Sequence, residues 1–324
     1  MPADVLTVTM NPTLDISTSV DALVNHVKLR CSPELEQVGG GGINVAHVIH
    51  SLGAHCQAML PVGGTRGEEI TARLQSGEIP LLTTTIASQN RECFNVFETS
   101  TGREYRFVLP GPTLTSVEQA AAISTIIEHL PTEFLVLSGS LPPGLSDDFY
   151  AQVIRAARAK APALRIVADT SGAPLIHALE AGVFMFKPSR EEFAALAGTT
   201  TETKADTAAE DISRCRALIN QGKTCVVALT LGDKGSLIVT DQQAWQVSPL
   251  PVPISSTVGA GDSFVGGMVW SLLGTDDLGQ AARVATACAA AALQTQGALQ
   301  FDAQTVLLMS ESVEIATLPL SLTQ

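Results

Sequence analysis

The chain of 324 residues has a net charge of −13 and is 45% hydrophobic, so a folded globular protein with a large buried core is expected. So acidic a protein lacks the basic surface that nucleic acid or an anionic membrane requires, and neither is expected as a partner. Scattered cysteines without a C-x-x-C pair, and residues 1–4 without the start of a signal peptide, favour a cytoplasmic protein with free thiols.

The first third of the sequence predicts short strands, several of which alternate apolar and polar side chains. Such alternation indicates a sheet with one face turned to water or to a ligand. The predicted strands are residues 5–10, 28–31, 35–38, 94–98 and 105–109.

A run of glycines, residues 39–42, follows the third of these strands and leads into a predicted helix. Glycine leaves the main chain open to a ligand, and the Asn44 amide can both donate and accept, which suits sugar hydroxyls. The dinucleotide pattern G-x-G-x-x-G fails, because Asn44 or Val45 occupies its last place. His47 and His50 follow at helical spacing, and packing is favoured over a metal site as their role.

From residue 115 onward, helices alternate with continuous apolar strands at 134–137 and 165–168, which is typical of a parallel sheet buried on both faces. Ser189 and Glu192 match a capping box and predict a helix start. Residues 278–294, rich in alanine, predict a helix that packs closely against a neighbour.

The segment 222–224, Gly-Lys-Thr, resembles the end of a phosphate-binding P-loop. Ala217 stands where the first glycine of that motif belongs, and a strand follows instead of a helix. A helix end is therefore predicted here. No zinc-ligand spacing and no G-x-S-x-G nucleophile motif occurs in the sequence.

The strongest chemical signal is Gly259-Ala260-Gly261-Asp262, directly before an apolar helix. Small residues let successive N–H groups converge on one point and the helix adds its positive end, which together predict an anion hole. The Asp262 carboxylate would lie beside a bound phosphoryl group and could accept a proton from an attacking hydroxyl. Taken alone, the segment leaves an ordinary glycine-rich loop equally open.

Four motifs stand in one order along the chain: residues 11–15, 39–46, 138–144 and 258–263. Together they resemble the ribokinase (PfkB) family of carbohydrate kinases over almost the whole chain, and most closely its minor-type ATP-dependent 6-phosphofructokinase branch. The resemblance implies one kinase domain over residues 1–324, with a doubly wound, mostly parallel α/β sheet and helices on both faces. It also implies a small β-sheet lid from residues 16–37 and 89–111, through which two subunits form a homodimer.

The resemblance implies a role for each motif residue. The catalytic base would be Asp262, with an anion hole from Gly259, Ala260 and Gly261. Sugar hydroxyls would be held by Asp15, Gly39, Gly40, Asn44 and Ser140, and the phosphate of the acceptor by Lys28, Arg30, Arg91 and Arg106. ATP would be bound by Lys187, Ser189, Thr230, Gly232, Gly235 and Thr257. Magnesium would be held by Glu192 and Asp169 through water.

Two departures from the family pattern affect the cofactors. Ser189 replaces the family asparagine and loses one amide group for contacts to metal and phosphate. Ala298 and Leu299 are apolar in the loop where related kinases bind a monovalent cation, which leaves a potassium requirement open.

The predicted acceptor is a ketohexose monophosphate, because a buried dianion needs cations whereas ribose or adenosine does not. Fructose 6-phosphate is favoured, giving fructose 1,6-bisphosphate, because Gly41 stands where kinases of fructose 1-phosphate and tagatose 6-phosphate often carry lysine. Those two substrates stay open as alternatives, as does a non-catalytic sugar-phosphate sensor.

Overall fold

The structure is a computed structural model that describes residues 3–196, 207–295 and 302–320. Its strands are β1 (Val5–Val8), β2 (Thr13–Val20), β3 (Leu35–Gly39), β4 (Cys56–Val62), β5 (Leu81–Thr85), β6 (Arg91–Glu98), β7 (Arg103–Val108), β8 (Phe134–Ser138), β9 (Arg165–Asp169), β10 (Val183–Phe186), β11 (Thr224–Thr230), β12 (Ser236–Val239), β13 (Ala244–Val247) and β14 (Ile315–Leu318). Its helices are α1 (Gly41–Ser51), α2 (Gly64–Ser76), α3 (Ser116–Glu128), α4 (Phe149–Lys160), α5 (Gly172–Ala181), α6 (Arg190–Leu196), α7 (Ala208–Asn220), α8 (Ala260–Gly274), α9 (Leu278–Leu293) and α10 (Ala303–Glu311).

A ten-stranded sheet forms the centre of the described chain, in the order β14-β13-β12-β11-β10-β9-β8-β1-β4-β5. The strands from β11 to β5 pair in parallel, whereas β12, β13 and β14 add an antiparallel edge. The strand order reverses at β1, which has β4 on one side and β8 on the other. Doubly wound sheets bind ligands at the carboxyl ends of the strands beside such a reversal.

Successive residues of the central strands pack against opposite helix layers. Leu6 and Val8 of β1 lie in one buried cluster with residues of α3, α4, α5 and α7. Val5 lies in a second cluster, with residues of α1, α2, α8 and α9. Strands buried on both faces explain the continuous apolar runs in the sequence. The predicted doubly wound α/β fold with helices on both faces is confirmed.

The second sheet has four strands in the order β3-β2-β6-β7. β2 pairs in parallel with β6 and antiparallel with β3, and β6 pairs antiparallel with β7. The small sheet that the sequence predicts is therefore present. The assignment of residues 16–37 and 89–111 as a moving lid, within one domain of 324 residues, stays a prediction.

Residues 28–31 form no strand, so that prediction was wrong. β3 pairs with β2 only as far as Ser17, and residues 28–31 lie exposed at the surface. Contact with β2 comes instead from Ser32, whose N–H donates to the Ser19 carbonyl at 2.9 Å. The local alternation of polar and apolar side chains resembled a strand, but β2 offers this segment no paired register.

The alanine-rich helix α9 packs closely against α8, as predicted. A Cβ on Gly267 of α8 would lie only 2.7 Å from the Cα of Ala285 in α9, so the two backbones can approach this far only with glycine at that position. This packing fixes α8, whose amino end carries Asp262. Within the described ranges no helix has the length and hydropathy to cross a membrane. All six cysteines are free thiols.

The segment Gly222-Lys223-Thr224 ends α7, as the sequence predicts. Gly222 has a φ of 71°, and the N–H of Lys223 donates to the Leu218 carbonyl at 3.1 Å. A glycine in the left-handed region commonly closes a helix in this way. The strand β11 then begins at Thr224, which rules out a P-loop, because a P-loop leads into a helix.

Candidate active site

A pocket of about 350 Å³ opens where the carboxyl ends of β1, β8, β9 and β10 meet the small sheet. The residues that line it are Thr9, Asn11, Thr13, Asp15, Gly40, Gly41, Asn44, Arg91, Arg106, Gly139, Ser140, Asp169, Thr170, Ser171, Lys187, Glu192, Val258, Gly259 and Asp262. The pocket lies at the place that the sheet topology predicts for a ligand, and its lining is mainly polar.

The Asp262 carboxylate lies in the first turn of α8, behind a left-handed glycine. Gly259 has a φ of 78°, a conformation that glycine adopts without strain, and its carbonyl accepts a hydrogen bond from the Ser263 hydroxyl at 2.7 Å. The Asn44 side-chain amide donates to Oδ2 of Asp262 at 2.7 Å. The glycine run and the Gly-Ala-Gly-Asp motif, far apart in sequence, therefore meet in one site.

The glycine run lets α1 begin in close contact with its surroundings. A Cβ on Gly41 would lie 2.2 Å from Oγ of Ser138 and 3.3 Å from Oδ1 of Asp262. Any larger residue here would have to displace one of these groups. The amino ends of α1 and α8 consequently meet at the pocket, where their free N–H groups favour a bound anion.

The small sheet contributes Asp15 and two arginines to the pocket. Nη2 of Arg106 lies 3.6 Å from Oδ2 of Asp15. Burial raises the pKa of Asp15 above its ordinary value of 3.8, and the nearby Arg106 partly opposes this rise. The terminal nitrogens of Arg91 donate to the carbonyls of Asn11 and Leu109, at 3.1 and 3.2 Å. Arg91 therefore binds two backbone carbonyls, whereas the contact that Arg106 makes among the described residues is the ion pair with Asp15.

Some pocket residues have buried polar atoms without a hydrogen-bond partner in the described part of the chain. They include Oγ1 of Thr9, Oδ1 of Asn11 and Oγ1 of Thr170. A buried polar atom without a partner costs about 1–3 kcal/mol. A hydroxyl-rich ligand, or the water that accompanies it, could supply the missing partners.

Lys187 and Asp169 form an ion pair at the ends of β10 and β9, with Nζ and Oδ1 3.2 Å apart. Burial raises the pKa of Asp169, although Lys187 opposes this. Burial alone would lower the pKa of Lys187, but the carboxylates of Asp169, Glu192 and Asp262 outweigh it and raise that pKa. The lysine therefore stays charged, which suits a group that contacts phosphate.

Ser189 and Glu192 form the predicted capping box at the start of α6. The N–H of Ser189 donates to Oε2 of Glu192 at 2.7 Å, and the N–H of Glu192 donates to Oγ of Ser189 at 3.2 Å. Ser189 also forms a parallel bridge with Thr230. Oε2 of Glu192 thus accepts from the backbone, whereas Oε1 accepts no hydrogen bond from the residues that the structure describes.

Asp169 and Glu192 fit a magnesium ion that is held mainly through water. Both carboxylates line the pocket beside Lys187. The described residues contain no group of three or more His, Cys, Asp or Glu side chains that could enclose a metal. Magnesium in kinase sites keeps several waters and takes ligands from phosphate, so two carboxylates suffice.

The remaining predicted residues do not line the pocket in the single chain. Gly39 lies against Asp15, since a Cβ there would be 2.2 Å from Oδ2, and Gly261 faces Lys187, since a Cβ there would be 3.4 Å from Nζ. The others outside the lining are Lys28, Arg30, Ala260, Ser189, Thr230, Gly232, Gly235 and Thr257. The prediction about potassium falls mostly on residues 296–299, which lie outside the described residues.

Sequence reasoning assigned no role to several lining residues, most of which lie just after a strand. They are Thr9, Thr13, Gly139, Thr170 and Ser171, of which Thr13 instead begins β2. Thr9 follows β1, Gly139 follows β8 and Thr170 follows β9. The rule that ligands bind at the carboxyl ends of parallel strands would have indicated Gly139 and Thr170, because the strands at 134–137 and 165–168 were predicted. It would not have indicated Thr9, because the first predicted strand ran from residue 5 to residue 10 and so contained it.

The described pocket lies beside two helix amino ends on a doubly wound sheet, which suits a phosphorylated ligand, and comparison with known families agrees. Residues 9–305 match the pfkB family carbohydrate kinases, and the chain belongs to that family of phosphotransferases.

Within this family, several individual relatives that are similar to the chain are phosphofructokinases. The chain is 38% identical over 288 residues to the ATP-dependent 6-phosphofructokinase isozyme 2 of Mycobacterium tuberculosis, with 87% of this chain and 83% of the relative covered. It is 31% identical over 329 residues to the 1-phosphofructokinase of Xanthomonas campestris pv. campestris, with 98% and 100% covered. The crystal structure of phosphofructokinase-2 from Escherichia coli in complex with potassium superposes with a TM-score of 0.88 at 32% identity, covering 95% of this chain and 98% of that one.

Proposed function

We propose that the chain transfers the γ-phosphoryl group of ATP to fructose 6-phosphate and forms fructose 1,6-bisphosphate. The observation that carries the proposal is one pocket in which Asp262, at the meeting amino ends of α1 and α8, faces the Asp15–Arg106 pair of the small sheet. A carboxylate beside two helix amino ends can accept a proton where backbone amides stabilise developing negative charge.

Asp262 acts as the general base. The Asn44 amide binds Oδ2 and fixes the orientation of the carboxylate, which leaves Oδ1 to accept the proton of the attacking sugar hydroxyl. That hydroxyl then attacks the γ-phosphorus in line, while the amides of residues 259–261 stabilise the transferring group. Proton acceptance and charge stabilisation thus come from adjacent residues of one helix start.

The sugar phosphate is held by groups on both sides of the pocket. The Asp15 carboxylate accepts hydrogen bonds from sugar hydroxyls, and the Ser140 hydroxyl can accept or donate them. Arg106, with 47% of its side chain exposed, is the arginine free to bind the phosphate, because Arg91 is engaged by backbone carbonyls. A guanidinium suits this task because it can bind two phosphate oxygens at once.

The nucleotide lies on the side of Lys187. The Lys187 ammonium would contact the phosphates, and Asp169 and Glu192 would hold magnesium through water, as the family resemblance implies. When bound, the metal neutralises phosphate charge as the transition state forms. Gly261 borders this side, because a Cβ there would lie 3.4 Å from Nζ of Lys187, in van der Waals contact with the ammonium.

The steric environment of Gly41 favours fructose 6-phosphate over the two rival substrates. A lysine at this position, frequent in the rival kinases, would need Ser138 to move, because even its Cβ would overlap Oγ. Phosphorylation of fructose 1-phosphate is the second candidate, supported by the full-length similarity to a 1-phosphofructokinase. Tagatose 6-phosphate, which differs from fructose 6-phosphate at one hydroxyl, is the third.

A panel assay tests the proposal. ADP release is measured with MgATP and fructose 6-phosphate, fructose 1-phosphate, tagatose 6-phosphate, ribose or adenosine. We expect turnover with the hexose phosphates and little with ribose or adenosine. Preference for ribose or adenosine would refute the proposal, and silence across the panel together with sugar-phosphate binding would favour a sensor.

We also propose that two copies pair through the small sheet. Three apolar side chains lie on the same face of the small sheet as Asp15 and are exposed: Leu35 (48%), Phe97 (46%) and Val108 (58%). Exposed apolar side chains grouped on one sheet face are typical of an interface. Pairing there would cover them and close the pocket entrance.

A further inference from the structure

Tyr150 of α4 is a buried group that the proposed mechanism does not use. Its side chain is 0% exposed, and its hydroxyl donates to the Gly139 carbonyl at 3.1 Å. Burial raises the pKa of this phenol, and the Asp169 carboxylate adds to the rise. The hydroxyl therefore keeps its proton and acts as a donor.

Gly139 is held from both sides by different elements. Its N–H donates to the Asp169 carbonyl at 2.9 Å, and its carbonyl accepts from Tyr150. Its φ of 95° lies in a region of backbone conformation that glycine, unlike other residues, adopts without steric strain. The hydrogen bond to Asp169 fixes the peptide between Ser138 and Gly139. The hydrogen bond from Tyr150 fixes the next peptide, between Gly139 and Ser140.

The peptide between Gly139 and Ser140 has a direction that follows from its planarity. In a trans peptide the C=O and the N–H point to opposite sides. The C=O points to Tyr150 in the core, so the Ser140 N–H points away from the core. Within the described part of the chain, this N–H donates to no protein acceptor, and Ser140 is exposed and lines the pocket.

We propose that Tyr150 is a positioning residue that aims the Ser140 N–H at an oxygen of the sugar phosphate. The Asn11 amide, which donates to Oγ of Ser140 at 3.2 Å, fixes the side chain of the same residue. Backbone and side chain of Ser140 therefore reach the sugar phosphate together. The inference rests on the proposed function, because that function names the ligand.

Tyr150→Phe removes the hydroxyl and leaves the ring. The Gly139 carbonyl loses its anchor and the peptide can rotate, so we expect KM for fructose 6-phosphate to rise about three- to tenfold, the effect of one lost hydrogen bond. We expect kcat and KM for MgATP to change by less than about twofold. The matched control is Phe149→Leu, which alters the ring in edge contact with Tyr150 at 5.8 Å and keeps the hydrogen bond.

A second experiment measures the chemical shift of the Ser140 amide directly. The sequence contains two Gly–Ser peptides, at 139–140 and 235–236, so carbonyl-¹³C glycine with ¹⁵N serine selects these two amides by NMR. We expect saturating fructose 6-phosphate, without nucleotide, to shift the Ser140 amide in the wild type and to shift it less in Tyr150→Phe. The Ser236 amide is the internal reference.

The outcomes separate this inference from the proposed function. Three results would each overturn the role of Tyr150. They are an unchanged KM in Tyr150→Phe, an equal rise of KM in Phe149→Leu, and a Ser140 amide signal that shifts with no hexose phosphate of the panel. If the wild type turns over no hexose phosphate but the Ser140 amide responds to one and Tyr150→Phe weakens the response, the proposed function fails and the role of Tyr150 stands.

Discussion

The Asp262→Asn variant tests the general base most sharply. Asparagine keeps the shape of the side chain and an oxygen that can still accept from Asn44, whose amide lies 2.7 Å from Oδ2. It removes the group that takes the proton. Loss of a general base costs about 10²–10⁴-fold in rate. Each factor of ten corresponds to about 1.4 kcal/mol of barrier, so the barrier rises by about 3–6 kcal/mol.

Steady-state kinetics with fructose 6-phosphate and MgATP measure this effect. We expect kcat to fall by that factor while both KM values change little, because the carboxylate acts in the transition state. The control is Asp276→Asn, whose side chain is fully exposed and does not line the pocket. A folded Asp262→Asn protein that retains more than about a tenth of wild-type kcat would refute the reasoning.

The other predictions concern the glycine run, the ion pair, the small sheet and its interface. Gly41→Ala should reduce both kcat and thermal stability in an activity and melting assay, whereas Gly274→Ala, whose Cβ would meet nothing within 4 Å, should change neither. Lys187→Met should raise KM for MgATP more than KM for the sugar phosphate, and should lower stability by about 3–5 kcal/mol in denaturant unfolding because it leaves a buried carboxylate unpaired; equal effects on the two KM values would contradict its role. Asp15→Asn should weaken sugar-phosphate binding yet raise the melting temperature at neutral pH. Because burial raises the folded pKa of Asp15 above 3.8, this group favours the folded state below that value and loses the contribution as pH rises through its folded pKa. The stability gain should therefore shrink on acidification, and a gain that persists at acid pH would contradict this explanation. Phe97→Glu should convert a dimer to a monomer in light scattering, and an unchanged mass would count against pairing through the small sheet.

The sequence predicted the fold because each of its signals is local. Continuous apolar runs predicted β8 and β9, and the alanine-rich segment predicted α9. The predicted Ser189–Glu192 capping box is also present in the structure. The prediction of a strand at residues 28–31 was wrong because alternation alone cannot show whether a neighbouring strand is available. A strand needs a partner, and that partner is set by the tertiary structure.

The candidate site was predictable only in part. The Asp262 motif and the glycine run were each visible, but their contact through Asn44 joins residues 218 positions apart and follows from the packing of α1 on α8. Tyr150 gave no signal, because a tyrosine on the buried face of an amphipathic helix looks like a core residue until its hydroxyl is seen to face Gly139. Long-range hydrogen bonds of this kind have no local sequence pattern.

The most direct test of the central claim is the comparison of kcat/KM for fructose 6-phosphate, fructose 1-phosphate and tagatose 6-phosphate with MgATP, with the product identified by ³¹P NMR. We expect fructose 6-phosphate to give the highest value and the product to be fructose 1,6-bisphosphate. A higher value for fructose 1-phosphate or tagatose 6-phosphate would contradict the assigned substrate. The absence of any phosphorylated product from all three would contradict the assigned reaction.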